Sequence, residues 1–96
     1  MKHYRQGDVL FIAITNAPKA TTIRKSKIIV ESKRTGHAHR LSQGSVLEAE
    51  DGLYIYSDIA TAVIHEEHQT LTLPPGSYKV VRQREYTPEA IREVLD

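Results

Sequence analysis

The stretch Asp8-Val9-Leu10-Phe11-Ile12-Ala13-Ile14 sets the fold expected of this chain. A continuous apolar run of this length is typical of a β-strand that is covered on both faces. Shorter strand-like segments follow it. The sequences GSVLE at 44–48 and LYIY at 53–56 flank Asp51-Gly52, a dipeptide that predicts a tight hairpin turn between two strands.

The rest of the chain repeats this pattern of short apolar segments and turns. The segment TLTL at 70–73 alternates in polarity, Pro74-Pro75-Gly76 predicts a turn, and 77–86 is the longest strand candidate. About seven or eight short strands with regularly spaced turns predict a mainly β fold. We therefore expect a small barrel that occupies residues 1–96 as a single domain.

One segment near the end of the sequence has the pattern of a helix rather than a strand. Thr87-Pro88-Glu89 places a capping hydroxyl, a proline suited to a first helical turn and an acid in that turn. Ile91, Val94 and Leu95 then share one face at helical spacing. The sequence predicts one C-terminal helix, over about 88–95, that covers an open end of the barrel or a sheet edge.

Composition excludes several classes of protein. The 96 residues include no cysteine, so disulfide frameworks and thiolate metal sites are excluded. No signal peptide is evident, and no apolar run approaches the roughly 20 residues of a membrane span. We expect a cytoplasmic protein that does not associate with a membrane.

The charge is distributed unevenly along the chain. Residues 1–40 carry nine Lys/Arg against two acids (9 − 2 = +7), whereas residues 41–96 carry four against ten (4 − 10 = −6), which together give the net +1. Such asymmetry indicates an anionic partner for the basic half, unless strands from the two halves alternate in space and their charges cancel.

Four of the five histidines occur in two pairs, His37-Ala38-His39 and His65-Glu66-Glu67-His68. On a strand, His37 and His39 point to the same face. His65 and His68 would point to opposite faces, so both reach one site only if the chain turns at Glu66-Glu67. We expect at least three of these imidazoles to converge. Imidazole is both a metal ligand and a proton shuttle near neutral pH, and the pairs alone leave both roles open.

The segment VRQREY at 81–86 is a third candidate element. Its arginines suit phosphate, because a guanidinium group binds phosphate oxygens in a bidentate manner. Together with basic residues beside the first histidine pair, it gives the predicted substrate-binding residues: Lys33, Arg34, Arg40, Arg82, Gln83 and Tyr86.

These motifs carry a resemblance. The strings RQGDVL at 5–10, GHAH at 36–39, HEEH at 65–68, LPPGSY at 73–78 and QREYTP at 83–88 resemble a family of small bacterial β-barrel proteins that are mostly uncharacterised. The chain is also similar to the β-barrel ring nucleases of type III CRISPR antiviral defence. That likeness implies a hydrolase that cleaves cyclic oligoadenylate.

A competing resemblance is to the cupins. His37-x-His39 and Leu73-Pro74-Pro75-Gly76 are similar to the two cupin motifs. However, Leu41-Ser42-Gln43 stand where the first motif expects an acid, and Ser77-Tyr78-Lys79 stand where the second expects a histidine. These departures argue against cupin metal binding.

Three functions are compatible with this sequence. The first is a metal-independent phosphodiesterase acting on RNA or a cyclic oligonucleotide, with no cofactor. It would use general acid–base catalysis, and its predicted catalytic residues are His37, His39, His65, His68 and Arg84. The second is a module that binds zinc, iron or manganese through His37, His39 and His65 or His68, with Glu66 or Glu67 as a further ligand. The third is a non-enzymatic nucleic-acid or protein adaptor.

The basic residues favour the phosphodiesterase over the metal module. A metal among so many cations would carry excess positive charge unless its ligand were an anion. A nucleotide exceeds the shallow pocket of one small barrel, so we also expect a homodimer that presents two sites about a twofold axis.

Overall fold

The computed structural model describes residues 2–82, which form ten β-strands and no helix. The strands are β1 (His3–Gln6), β2 (Val9–Ile14), β3 (Thr22–Ile23), β4 (Ile28–Glu31), β5 (Ala38–Leu41), β6 (Ser45–Ala49), β7 (Gly52–Ser57), β8 (Thr61–Ile64), β9 (Leu71–Leu73) and β10 (Gly76–Arg82). The mainly β fold expected from the sequence is confirmed. The helix predicted over about 88–95 lies outside the described residues.

The strands form two antiparallel sheets rather than a closed barrel. Sheet A has the order β1-β2-β10-β7-β6-β3 and sheet B has the order β4-β5-β8-β9. The barrel prediction is therefore wrong for residues 2–82. A barrel needs every strand to be paired on both sides, whereas here β1 and β3 end one sheet, and β4 and β9 end the other.

The apolar run at 8–14 forms β2, which lies between β1 and β10. Val9 and Phe11 are fully buried, but Leu10 and Ile12 on the opposite face are only half-buried. The prediction of two covered faces is thus correct for the inner face and overstated for the outer one.

The predicted hairpin forms between β6 and β7, with its turn shifted by one residue. Ala49 pairs with Gly52, so Glu50 and Asp51 make the two-residue loop, and Gly52 already belongs to the strand.

Both sheets contribute to one hydrophobic core. Its fully buried members are Val9, Phe11, Val46, Ile55 and Tyr78 from sheet A, and Ile29, Leu41, Val63 and Leu73 from sheet B. The sheets also approach each other where β1 contacts β9. This junction places the end of β1 beside the segment that follows β8, and it positions the histidines.

Substitution of Gly44 by alanine tests the packing of the residue before β6 against β7. Gly44 has a φ of 90°, and an added Cβ would collide with the Tyr56 carbonyl oxygen and lie 2.7 Å from Ser57 Cβ. Gly36 is the matched control, since its φ is also positive at 78° but nothing lies within 4 Å of an added Cβ. Gly36→Ala should cost about 1–2 kcal/mol for the left-handed backbone. Gly44→Ala should cost a further 1–3 kcal/mol or so because it overpacks the backbone. Urea unfolding measures both, and equal losses would contradict the described contact.

Candidate active site

The first histidine pair is placed by the turn that leads into β5. Gly36 donates its N–H to Ser32 O at 2.8 Å, and Ser32 donates its N–H to His37 O at 2.9 Å. His37 therefore lies at the end of a closed turn, immediately before β5. His39 lies within β5 and is only 5% exposed. Both side chains line one cavity, as their spacing predicts.

The second pair reaches the same cavity because the chain turns after β8. The ring centroid of His65 lies 4.4 Å from that of His39 and 5.8 Å from that of His37. The ring of His68 lies 4.5 Å from His65 and is stacked at 5.9 Å from His39. All four imidazoles converge, so the expectation that at least three would meet is confirmed. Close approach of the backbone at Gly7 makes room for His68, because a Cβ at Gly7 would lie 2.6 Å from His68 Nε2.

Glu66 fixes this turn against β5. Its carboxylate accepts the Ala38 N–H at 3.0 Å and an Arg40 Nη1 hydrogen bond at 3.2 Å. The hydrogen bond from the Ala38 backbone is the main reason that the pKa of Glu66 is lowered to about 2. Glu66 and Arg40 therefore hold the two histidine pairs together rather than lining the cavity.

Gln6, at the end of β1, sets the protonation of His39. The Gln6 side-chain nitrogen donates to Val63 O at 2.8 Å and to Gln69 O at 2.9 Å. These two carbonyl acceptors fix the amide orientation, so Gln6 Oε1 faces His39 Nδ1 at 2.8 Å as an acceptor. His39 must then carry its proton on Nδ1, which leaves Nε2 with a free lone pair when the ring is neutral.

The surroundings of His39 keep it neutral. Burial is the main cause that lowers the pKa of His39 from 6.5 to about 4, and repulsion by any positive charge on neighbouring His65 adds to it. Asp8 opposes this shift and His68 adds to it. At neutral pH the His39 ring is therefore in the form that accepts a proton.

Glu67 interacts with two histidines through different atoms. Its carboxylate oxygen lies 2.9 Å from His37 Nδ1, and its backbone N–H donates to His65 Nδ1 at 3.0 Å. An ionised carboxylate only accepts, so His37 carries a proton on Nδ1. His65 Nδ1 is itself an acceptor, so the proton of its neutral ring lies on Nε2. Glu67 thus favours a proton on Nδ1 of His37 and excludes one from Nδ1 of His65.

The histidines line an open cavity of about 280 Å³. Its other polar lining residues are Asp8, Ser32, Thr35, Glu67 and Arg82. Arg82 Nη2 donates to Asp8 Oδ2 at 3.3 Å, while Arg82 Nε is buried without a partner among the described residues. Partial burial raises the pKa of Asp8, but the hydrogen bond and charge of Arg82 outweigh it, so the net shift is downward.

The predicted substrate-binding residues divide into three groups. Arg82 lines the cavity. Lys33 and Arg34 are exposed in the turn between β4 and β5, whereas Arg40 pairs with Glu66 and does not line the cavity. The substrate-binding role of these three residues stays a prediction. Gln83 and Tyr86 lie outside the described residues, as does Arg84, which was predicted to be catalytic.

Sequence reasoning missed Gln6 and Asp8 as site residues. Both stand in the string RQGDVL at 5–10, which entered the sequence predictions only as part of the family resemblance and, from Asp8 onward, as the first apolar strand. No local signal reveals that the Gln6 amide is buried, because its burial depends on the contact of β1 with a distant part of the chain.

The side chains that could ligate a metal ion are not arranged around a common point. In the part of the chain from residue 2 to residue 82, no three histidine, aspartate or glutamate side chains are arranged to hold a metal ion. A metal held by the cluster would require rotation of at least one ring.

Fold and site together define a two-sheet β protein with a histidine-lined cavity. The chain belongs to the family described as a domain of unknown function, DUF8820, whose model matches residues 5–83. No curated protein and no solved structure matches this chain significantly. The family assignment agrees with the expected resemblance to uncharacterised proteins and gives no support to the likeness to CRISPR ring nucleases. Within residues 2–82, no helix is long and apolar enough to cross a membrane.

The pKa of His39 predicts how stability depends on pH. Because the folded pKa of about 4 lies below the unfolded value of 6.5, the unfolded state binds the proton first. The free energy of unfolding should therefore fall as the pH drops from 6.5 to about 4, by up to about 3 kcal/mol, and this contribution should not change further below that range. Glu66 affects stability at lower pH. Its lowered pKa stabilises the folded state above pH 4.5, and this stabilisation is lost as the pH falls from 4.5 towards 2.

Urea unfolding between pH 7.5 and 4.5 measures this effect, and NMR titration gives the pKa directly. His39→Gln should flatten the pH dependence. The control His3→Gln, at an exposed histidine of β1, should leave most of it in place. A normal pKa for His39 would contradict the described burial.

Proposed function

We propose that this protein is a metal-independent phosphodiesterase that cleaves RNA-type linkages by histidine acid–base catalysis. The supporting observation is the convergence of four imidazoles on one open cavity beside Arg82, with His39 held as a neutral base. Such cleavage requires a base, an acid and a group that stabilises the charge of the phosphorane.

His39 fits the role of the base. Its free Nε2 would take the proton of a ribose 2′-hydroxyl as O2′ attacks phosphorus and the P–O5′ bond breaks. A pKa near 4 makes a weak base in the empty cavity. A bound phosphodiester would bring negative charge next to the ring, which favours the protonated form and raises the pKa towards neutrality.

His37 fits the role of the acid. The Glu67 carboxylate at 2.9 Å compensates the charge of a doubly protonated ring. His37 would then donate its Nε2 proton to the leaving O5′. The products are a 2′,3′-cyclic phosphate and a 5′-hydroxyl, and the proton gained by His39 balances the one lost by His37.

Arg82 supplies the cation. A guanidinium group has five N–H donors, and Asp8 occupies Nη2. The remaining donors are suited to a phosphate that enters the cavity. Arg84, which lies beyond the described residues, stays a predicted catalytic residue, and Gln83 and Tyr86 stay predicted substrate-binding residues.

One observation favours metal binding as a second candidate function. His37 and His39 both direct Nδ1 to an acceptor, Glu67 and Gln6 respectively. Acceptors of this kind commonly orient metal-ligating histidines and leave Nε2 for the ion. With His68 as third ligand, the cluster would hold zinc, iron or manganese after its rings rotate. The pairing of Arg82 with Asp8 also weakens the charge argument against a metal.

Cleavage assays distinguish the two candidates. Single-stranded RNA and cyclic oligoadenylate are incubated with the purified protein in excess chelator, and the products are analysed for 2′,3′-cyclic phosphate. The proposed function predicts cleavage that chelator leaves unchanged, and 2′-deoxy substrates should resist. Activity abolished by chelator, together with stoichiometric bound metal, would favour the second candidate.

His39→Gln is the decisive variant. It should lower kcat by about 10²–10⁴-fold, the usual contribution of a positioned acid or base, with a smaller change in KM. The rate should fall at acidic pH as His39 is protonated and at alkaline pH as the acid loses its proton. His3→Gln should retain full activity. Equal activity of both variants would refute the assignment of the base.

A further inference from the structure

His65 differs from the other histidines in the direction of its hydrogen bond. Its Nδ1 accepts the Glu67 backbone N–H at 3.0 Å, whereas Nδ1 of His37 and His39 faces an acceptor. This bond exists only while Nδ1 lacks a proton, because a second proton on the ring would set one N–H against another. The proton of the His65 ring is therefore confined to Nε2.

His65 also occupies the central position of the cluster. Its centroid lies 4.4 Å from His39, 4.5 Å from His68 and 5.8 Å from His37. The charged or titratable groups around the same cavity are His37, His39, His68, Glu67, Asp8 and Arg82. A second positive charge among these imidazoles is unfavourable when one of them is already protonated.

We propose that His65 acts as a neutral hydrogen-bond donor to a non-bridging phosphoryl oxygen, and as neither acid nor base. This inference rests on the proposed function and deepens it. Charge develops on the non-bridging oxygens as phosphorus becomes five-coordinate, and a fixed N–H near them stabilises that charge. His65 and Arg82 line the same cavity, and their N–H groups would supply the two donors.

Three histidines of the cluster would then have separate roles in the reaction. His39 removes a proton, His37 supplies one, and His65 binds the oxygen that gains charge. The same hydrogen bond opposes metal binding by His65 through Nε2. To ligate there, His65 would have to move its proton to Nδ1 and lose the hydrogen bond from Glu67.

Nitrogen-15 NMR tests the tautomer without any assay of activity. In protein labelled at histidine and held at pH 7.5, long-range ¹H–¹⁵N spectra should show His65 protonated at Nε2 and His39 protonated at Nδ1. Glu67→Ala removes the carboxylate that faces His37 but keeps the backbone N–H, so the His65 tautomer should not change. Titration with inorganic phosphate should shift the His65 Hε2 resonance downfield. A proton on His65 Nδ1, or no response to phosphate, would overturn the proposal.

Kinetics test the role in the reaction. His65→Ala should lower kcat by about 10²–10³-fold, the usual effect of removing one such donor. His65→Gln restores an N–H donor and should recover most of that loss, whereas His39→Gln should not recover activity. Equal losses for the two His65 variants would refute the donor role. Absence of all cleavage would refute the proposed function, and the phosphate titration would still decide whether His65 donates to an anion.

Discussion

The buried amide of Gln6 is the interaction on which the arrangement of the site depends. It joins the end of β1 in sheet A to the carbonyl oxygens of Val63 and Gln69, which lie before and after the turn that carries His65 and His68. A buried amide is stable only when its donors and acceptor are satisfied. Because His39 completes this set, the contact that joins the sheets also selects the tautomer of the candidate base.

The strands were predictable from the sequence because their signals are local. Alternating polarity, β-branched residues and turn dipeptides act over a few positions, and they identified β2, the β6–β7 hairpin and the turn before β10. Closure of the sheet was not predictable, since it depends on which distant edges pair. β3 has only two residues and pairs with β6 alone, so sheet A ends there. The hairpin loop was misplaced by one residue because Gly52 is compatible with either the turn or the start of the strand.

The candidate site was likewise predictable only where its signals are local in sequence. Histidine spacing and a turn at Glu66-Glu67 were sufficient to bring the imidazoles together. The supporting residues were not predictable, because the burial of Gln6 and the Arg82–Asp8 pair depend on contacts between residues far apart in sequence. The surroundings of Arg40 were not predictable for a related reason. Its proximity to His39 along the chain suggested a shared role, but its partner in space is Glu66.

Two adjacent glutamates in this turn have roles that cannot be exchanged. Glu66 binds β5 through its side chain, whereas Glu67 acts on His37 through its carboxylate and on His65 through its peptide group. Every amino acid except proline carries that peptide N–H. Sequence variation at position 67 would therefore alter the charge beside one histidine while the other kept its orientation. Natural or designed homologues have in this position a means of tuning one proton-transfer group independently of its neighbour.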